Sequence, residues 1–139
     1  MNVYVSAPFA EAHFVRHHIH PRLKALGIKP TSSWAEEAHG GPEDFDMFSP
    51  GELQAIAAKN DADLEKSDAV LLYDPMGEGY ETYCEVRFAI VLGKQVVWCG
   101  SRCLSRWRAV VRRVDSLDAG LAELRTMMLK SRVSQMVAE

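Results

Sequence analysis

Glu85 is the residue of this sequence best placed to do chemistry. It stands early in a stretch whose remainder, Val86 to Leu92, is apolar apart from Arg87. A helix of that composition is largely buried, so a carboxylate within it is partly withdrawn from water. Such a group is a candidate nucleophile or proton carrier. The helix N-terminal field favours its ionised form and burial favours the protonated one, and the sequence leaves the balance open. Glu81 lies one turn earlier on the same face. As a first-turn acid it reads more simply as a complement to the helix dipole.

Asn60, Asp61 and Asp63 form a second group. They follow an apolar stripe through Leu53, Ile56, Ala57 and Leu64, with Asn60 in the middle and the two acids on its margins. A polar residue on an inward stripe needs a partner, which favours Asn60 and Asp61 as site residues. Asp63 reads as solvated near the helix end. The histidines His13, His17, His18, His20 and His39 close no tetrahedral set with Cys or carboxylate at metal-binding spacing, so a polar helix face is expected and no metal. Cys84, Cys99 and Cys103 read as small core residues. There is no GxGxxG, GxxxxGK[ST] or GxSxG, which argues against the common dinucleotide, triphosphate and hydrolase-elbow classes. No cofactor is called for.

The elements that must carry these residues alternate. Asn2 to Ser6 reads as a buried strand and Phe9 to Leu26 as a helix broken near Pro21 and stopped by Gly27. Ile28 to Ser32 is a weaker strand, and Ser33 to Ser49 lacks periodicity and reads as a long loop. Ser49, Pro50 and Glu52 make a capping box for a helix reaching about Lys66. Ala69 to Tyr73 has no alternation, the mark of a central parallel strand. A loop over 74–79, a helix over Tyr80–Leu92 ended by Gly93, a strand over Gln95–Cys99, a further strand over Ala109–Val114 and a final helix over about 116–137 complete the chain. This order predicts one doubly wound α/β domain over residues 1–139, flavodoxin- or Rossmann-like, with a mostly parallel five-stranded sheet. Ligands of such folds bind beyond the carboxyl ends of the strands. Those ends are Ser6-Ala7-Pro8, Ser33-Trp34, Asp74-Pro75 and Gly100-Ser101.

The 139 residues suit one domain, and 47% hydrophobic with 25% charged residues is a globular composition. A net charge of −3 argues against a partner bound mainly through a nucleic-acid backbone. No apolar run is long enough to span a bilayer, and the first residues show no basic and apolar leader pattern. With an odd number of cysteines, a reduced cytoplasmic protein is expected.

Taken together, several segments resemble the nucleoside 2-deoxyribosyltransferase superfamily, which includes nucleotide N-glycosidases. They are Val3-Tyr4-Val5-Ser6-Ala7-Pro8-Phe9, Thr31-Ser32-Ser33-Trp34, Asn60 through Asp68, and Glu85-Val86-Arg87-Phe88-Ala89-Ile90-Val91-Leu92-Gly93-Lys94-Gln95-Val96-Val97. The last is similar to the family's E-x-G-x-A-x-x-x-G-K-x-V block, with Arg87 at its glycine. The resemblance covers roughly Val3 to Leu124. It implies Glu85 as nucleophile, Tyr4 as the residue that orients it, and an aspartate that handles the proton of the base. Strict register puts Asn60 at that last position, and Asp61 fits with a slip of one residue.

The implied substrate is a small nucleoside or nucleotide, cleaved or transferred at its N-glycosidic bond. Ser6, Pro8, Phe9, Trp34, Asn60, Gly79 and Glu81 are the expected substrate contacts. Trp34 can stack on a base or anchor the core. The loop Ser6-Ala7-Pro8-Phe9 lacks the Gly and Arg of a phosphate site, which ranks a nucleoside above a nucleotide. A non-enzymatic nucleotide sensor on the same scaffold is the alternative class. Met127, Met128, Val133 and Met136 form an apolar set suited to a second copy of the chain, so a homodimer or larger homo-oligomer is expected.

Overall fold

The computed structural model describes residues 1–37, 48–77, 80–100 and 109–139. Five strands, β1 (Asn2–Ser6), β2 (Lys29–Pro30), β3 (Ala69–Asp74), β4 (Gln95–Gly100) and β5 (Arg112–Val114), form one sheet in the order β2-β1-β3-β4-β5. Every pairing is parallel. The expected doubly wound, flavodoxin-like sheet is therefore present, and wholly parallel. The chain leaves β1 toward one edge and returns to β3 on its other side. The cleft between the carboxyl ends of β1 and β3 is thus the switch point where such folds bind ligands.

The helices cover both faces. On one lie a 3₁₀ turn (Phe9–Glu11), α1 (Ala12–Phe14), a π-helical segment (Val15–Ile19), α2 (His20–Ala25) and the late α6 (Leu117–Ala138). They bury Val15, Ile19, Leu23, Leu121, Leu124 and Met128 against Val3, Val5, Leu71 and Val97. On the other lie α4 (Pro50–Glu65) and α5 (Tyr80–Val91), which bury Leu64, Val86 and Ala89 against Tyr4, Val70, Leu72, Val96 and Trp98. A short α3 (Ser33–Glu37) follows β2.

Several elements depart from the sequence expectations, each for a local reason. The break near Pro21 takes the form of the π segment, where the His20 amide reaches back to Val15 O. Pro21 gives no amide to the preceding turn, and the wider turn absorbs the loss. The second strand, expected over Ile28–Ser32, shortens to two residues. Pro30 has no amide for the ladder, although Thr31 N still reaches Val3 O at 2.8 Å. Residues 33–37 are helical where a loop was expected. The rest of that expected loop through Met47, with His39, lies outside the described residues, as do Gly79 and Cys103. The fifth strand is three residues rather than six.

Other expectations hold. The capping box forms, with Ser49 Oγ accepting from Glu52 N at 3.2 Å and Glu52 Oε1 from Ser49 N at 3.3 Å. Gly93 ends α5 with φ +73°, a conformation other residues rarely adopt. Lys94 Nζ then donates to Glu65 O and Ser67 O at 2.8 and 2.6 Å, closing the end of α4. Ser116 caps α6, its Oγ accepting from Ala119 N at 3.1 Å.

α5 is less buried than its composition predicts. Thr82, Val86 and Ala89 face inward, while Cys84 and Arg87 are exposed and Val91 is 66% exposed. The helix covers the sheet with one side only. Of the cysteines, Cys99 is in the core and Cys84 is not. In α6, Met128 belongs to the core, whereas Leu129, Val133, Met136 and Val137 are exposed. Among the described residues no helix is long and apolar enough to cross a membrane.

Candidate active site

The side chains of β1 alternate across the sheet, so Tyr4 and Ser6 point to the same face, toward α4 and α5. Glu85 enters from α5. The Tyr4 hydroxyl donates to Glu85 Oε2, and Ser6 Oγ donates to Glu85 Oε1 at 3.1 Å. One carboxylate is thus held by both its oxygens from two residues of the same strand, at the end of β1 beside β3. Tyr4 and Ser6 are buried and Glu85 is half-buried.

The balance that the sequence left open falls on the side of burial. Glu85 is pushed up to about 7, chiefly by loss of water, and the negative charges of Glu81 and Asp61 add to the rise. The hydrogen bonds from Tyr4 and Ser6 act against it by favouring the carboxylate. The Tyr4 phenol is raised far above its ordinary range by burial and by the negative charge of Glu85. Tyr4 therefore stays protonated and can only donate to the carboxylate.

On α4, Asn60 is half-buried and Asp61 exposed. Asp61 is near enough for its charge to act on both Glu85 and Tyr4. Asp63, expected in solvent, is buried instead. Its Oδ2 accepts from Ser33 N at 3.2 Å and from the Ser33 hydroxyl, so it holds the start of α3. The stripe through Leu53 and Ala57 is the wrong inner face for the first half of α4, since both are exposed. The inward residues are Ile56, Asn60, Asp63 and Leu64, spaced as one helical face.

Trp34 is half-buried against both core clusters, and its indole nitrogen donates to Val5 O at 3.0 Å. Phe9, also half-buried, approaches it with ring centroids 6.5 Å apart. Pro8 is half-buried at the same strand end, and Glu81 is exposed one turn before Glu85. The structure thus brings Tyr4, Ser6 and Glu85 into contact and sets Asp61 and Glu81 within their field. It fixes Trp34 to β1. Gly79 falls outside the described residues.

A buried histidine escaped the sequence reading. His20 is 2% exposed, where a polar face was expected for all five histidines. Its position directly after Ile19 and three before Leu23 was the available signal. No group of three or more metal-ligating side chains occurs among the described residues.

No protein-family profile matches the chain, and no curated protein matches it in sequence. Solved structures do. A 2-deoxyribosyltransferase from Bacillus psychrosaccharolyticus aligns with a TM-score of 0.65 at 13% identity, over 90% of each chain. A CMP N-glycosidase from Clostridium botulinum, BcmB, aligns with a TM-score of 0.58 at 15% identity, over 89% of this chain and 98% of that one. This chain has their fold. The resemblance read from the sequence segments is thereby met at the level of architecture, with the 2-deoxyribosyltransferase-like sheet and helices spanning nearly the whole chain.

Proposed function

We propose that the chain is an enzyme of the nucleoside 2-deoxyribosyltransferase superfamily that breaks the N-glycosidic bond of a nucleoside, with Glu85 as the nucleophile. The observation that carries this reading is the double hydrogen bond of Glu85 to Tyr4 and Ser6 at the β1/β3 switch point. A Glu85 oxygen attacks the anomeric carbon as the bond to the base breaks. The bonding electrons pass to the base nitrogen, and a proton from Asp61 neutralises it. Water, or the N–H of a second base, then attacks the anomeric carbon, the ester bond breaks to free Glu85 as the carboxylate, and the attacker's proton returns to Asp61.

The electrostatics support this sequence of events. Positive charge builds on the sugar as the bond breaks. Glu81 and the Glu85 carboxylate place negative charge there, which favours the developing cation, and Asp61 adds its own charge once its proton has passed to the base. Interactions of that kind act on the transition state more than on the ground state.

A nucleoside 5′-monophosphate is the second reading, supported by the likeness of fold to a CMP N-glycosidase. The loop after β1, without Gly or Arg, supports the nucleoside. The exposed apolar residues Val133 and Met136 support a homo-oligomer, and the free thiols of Cys84 and Cys99 a cytoplasmic setting. The test is incubation of the full chain with deoxynucleosides and with their monophosphates, with and without a second base, followed by separation of free base and exchanged nucleoside. Base release from either class that disappears in Glu85→Gln supports the enzyme. No release from any substrate, with binding intact, favours the sensor.

A further inference from the structure

Three consecutive residues beyond β2 are fastened to two partners, Val5 and Asp63. Ser32 Oγ accepts from Val5 N at 3.1 Å, Ser33 is held by Asp63, and the Trp34 indole donates to Val5 O at 3.0 Å. Val5 stands between Tyr4 and Ser6, the two residues that hold Glu85. β2 pairs with β1 only at Asn2↔Lys29 and Val3↔Pro30, so the main-chain ladder stops short of Val5. The hydroxyl of Ser32 and the indole of Trp34 take its place at the Val5 amide and carbonyl. Two side chains thus continue a parallel ladder where no strand reaches.

Ser32 is itself held. His20 Nε2 lies 2.7 Å from Ser32 Oγ, and His20 Nδ1 lies 2.8 Å from Glu36 Oε1. His20 and Ser32 are both buried, and Glu36 also meets Arg16 at 3.4 Å. Burial keeps the imidazole neutral, with Lys24 acting in the same direction and Glu36 against it. The protons then have one consistent order. Val5 N–H donates to Ser32 Oγ, Ser32 O–H to His20 Nε2, and His20 Nδ1–H to Glu36. The connectivity is that of a hydrolytic triad. Ser32, however, is 1% exposed and its hydroxyl is already engaged by the Val5 amide, so it offers no nucleophile.

We infer that Glu36, His20 and Ser32 are positioning residues for Glu85, fixing the Tyr4–Val5–Ser6 segment and with it the two hydroxyls that grip the carboxylate. Its catalytic meaning rests on the function proposed above. Its physical content does not, because Glu85 can be watched directly. If the hydroxyls of Tyr4 and Ser6 lose their place, they favour the carboxylate less and Glu85 becomes harder to ionise. The other groups that face Glu85, Glu81 and Asp61, stay unchanged.

The experiment is carboxyl carbon-13 NMR titration of the full chain labelled at glutamate, with Glu85→Gln assigning the resonance. Ser32→Ala should raise the Glu85 midpoint by roughly half a pH unit or more, and Glu36→Ala by less. Glu36→Gln keeps an acceptor for His20 Nδ1 and should return the wild-type midpoint. A midpoint unmoved in Ser32→Ala and Glu36→Ala, with only the melting temperature lowered, overturns the inference and leaves the chain of bonds purely structural. Should Ser32→Ala fail to fold, Glu36→Ala decides alone, since that side chain is 43% exposed. A shifted midpoint in a protein that releases no base would remove the proposed function and leave the positioning role standing.

Discussion

Tyr4 and Glu85 stand 81 residues apart in sequence and share one hydrogen bond, with the phenol donating to a carboxyl oxygen. The bond crosses from the third residue of the first strand to the middle of α5. Because the phenol is held in its protonated form, the bond favours one state of its partner, the carboxylate. A hydrogen bond to a charged group is worth about 1.5–3 kcal/mol. Tyr4→Phe removes it and leaves the ring in the core. The ionisation of Glu85 should then rise by about one pH unit. The rising limb of the pH–rate profile should move upward with it, and base release near neutral pH should fall about fivefold. An unmoved limb would show that Glu85 does not set it.

Glu85→Gln should reduce base release to background with the fold retained, since the amide has nearly the same shape and is a poor nucleophile. Stability gives an independent check with a definite sign. Glu85 sits at about 7 against an ordinary 4.5, so the fold prefers the protonated carboxyl. That preference contributes stability fully below the ordinary value and loses it as pH rises through about 7. Wild type should therefore lose stability relative to Glu85→Gln over this window. Denaturant melts of the two proteins at the two ends of the window measure the difference.

Asp61 and Asn60 separate by proton chemistry. Asp61→Asn should lower base release by roughly 10²–10⁴-fold if Asp61 supplies the proton, and Asn60→Asp should then add little. If Asn60 occupies the proton-handling place, Asp61→Asn should be almost silent and Asn60→Asp should raise the rate. Initial rates of free-base formation decide between them.

Asp63→Ala should loosen α3 while removing no hydrogen bond to Glu85 itself. It deletes the acceptor for Ser33 N and for the Ser33 hydroxyl, at a cost of about 1–2 kcal/mol, as for a lost helix cap. Trp34 follows Ser33 directly, so its fluorescence should change along with the denaturation midpoint. Asp63→Asn, which keeps an acceptor oxygen, should recover part of both.

What the sequence disclosed depended on the range of the interaction. The Ser49/Glu52 box was legible because its bonds close within three residues. The unbroken apolar run at β3 was legible because a strand buried on both faces needs no partner's identity to be recognised. Asp63 was misread because helical periodicity places a residue on a margin and is silent about Ser33, 30 residues away, waiting there for an acceptor. His20 was misread with its exposed neighbours for the same reason, since Ser32 and Glu36 lie beyond the next strand. Pro30 shortened β2 by the loss of one amide, a detail outweighed in the pattern by Ile28 and the Thr31 beyond it. For Glu85 the pattern supplied the burial and the acidic neighbours and the family resemblance supplied Tyr4, whereas Ser6, 79 residues away, was expected only as a substrate contact.

α6 spends its length unevenly. Gly120, Leu121, Leu124 and Met128 are buried, whereas every residue from Leu129 onward is exposed. A Cβ at Gly120 would stand 3.3 Å from Leu71 Cδ1, so the first turns lie close on the central strand. The remaining turns extend about 15 Å past this anchor on their own helical bonds. Amide hydrogen exchange should accordingly divide the helix near Met128. In dilute protein the amides after it should exchange at nearly the rate of a free peptide helix, while those before it wait for the sheet itself to open. The same helix then reports two different free energies, one local and one global. Raising the protein concentration should slow only the distal set if a second copy covers Val133 and Met136.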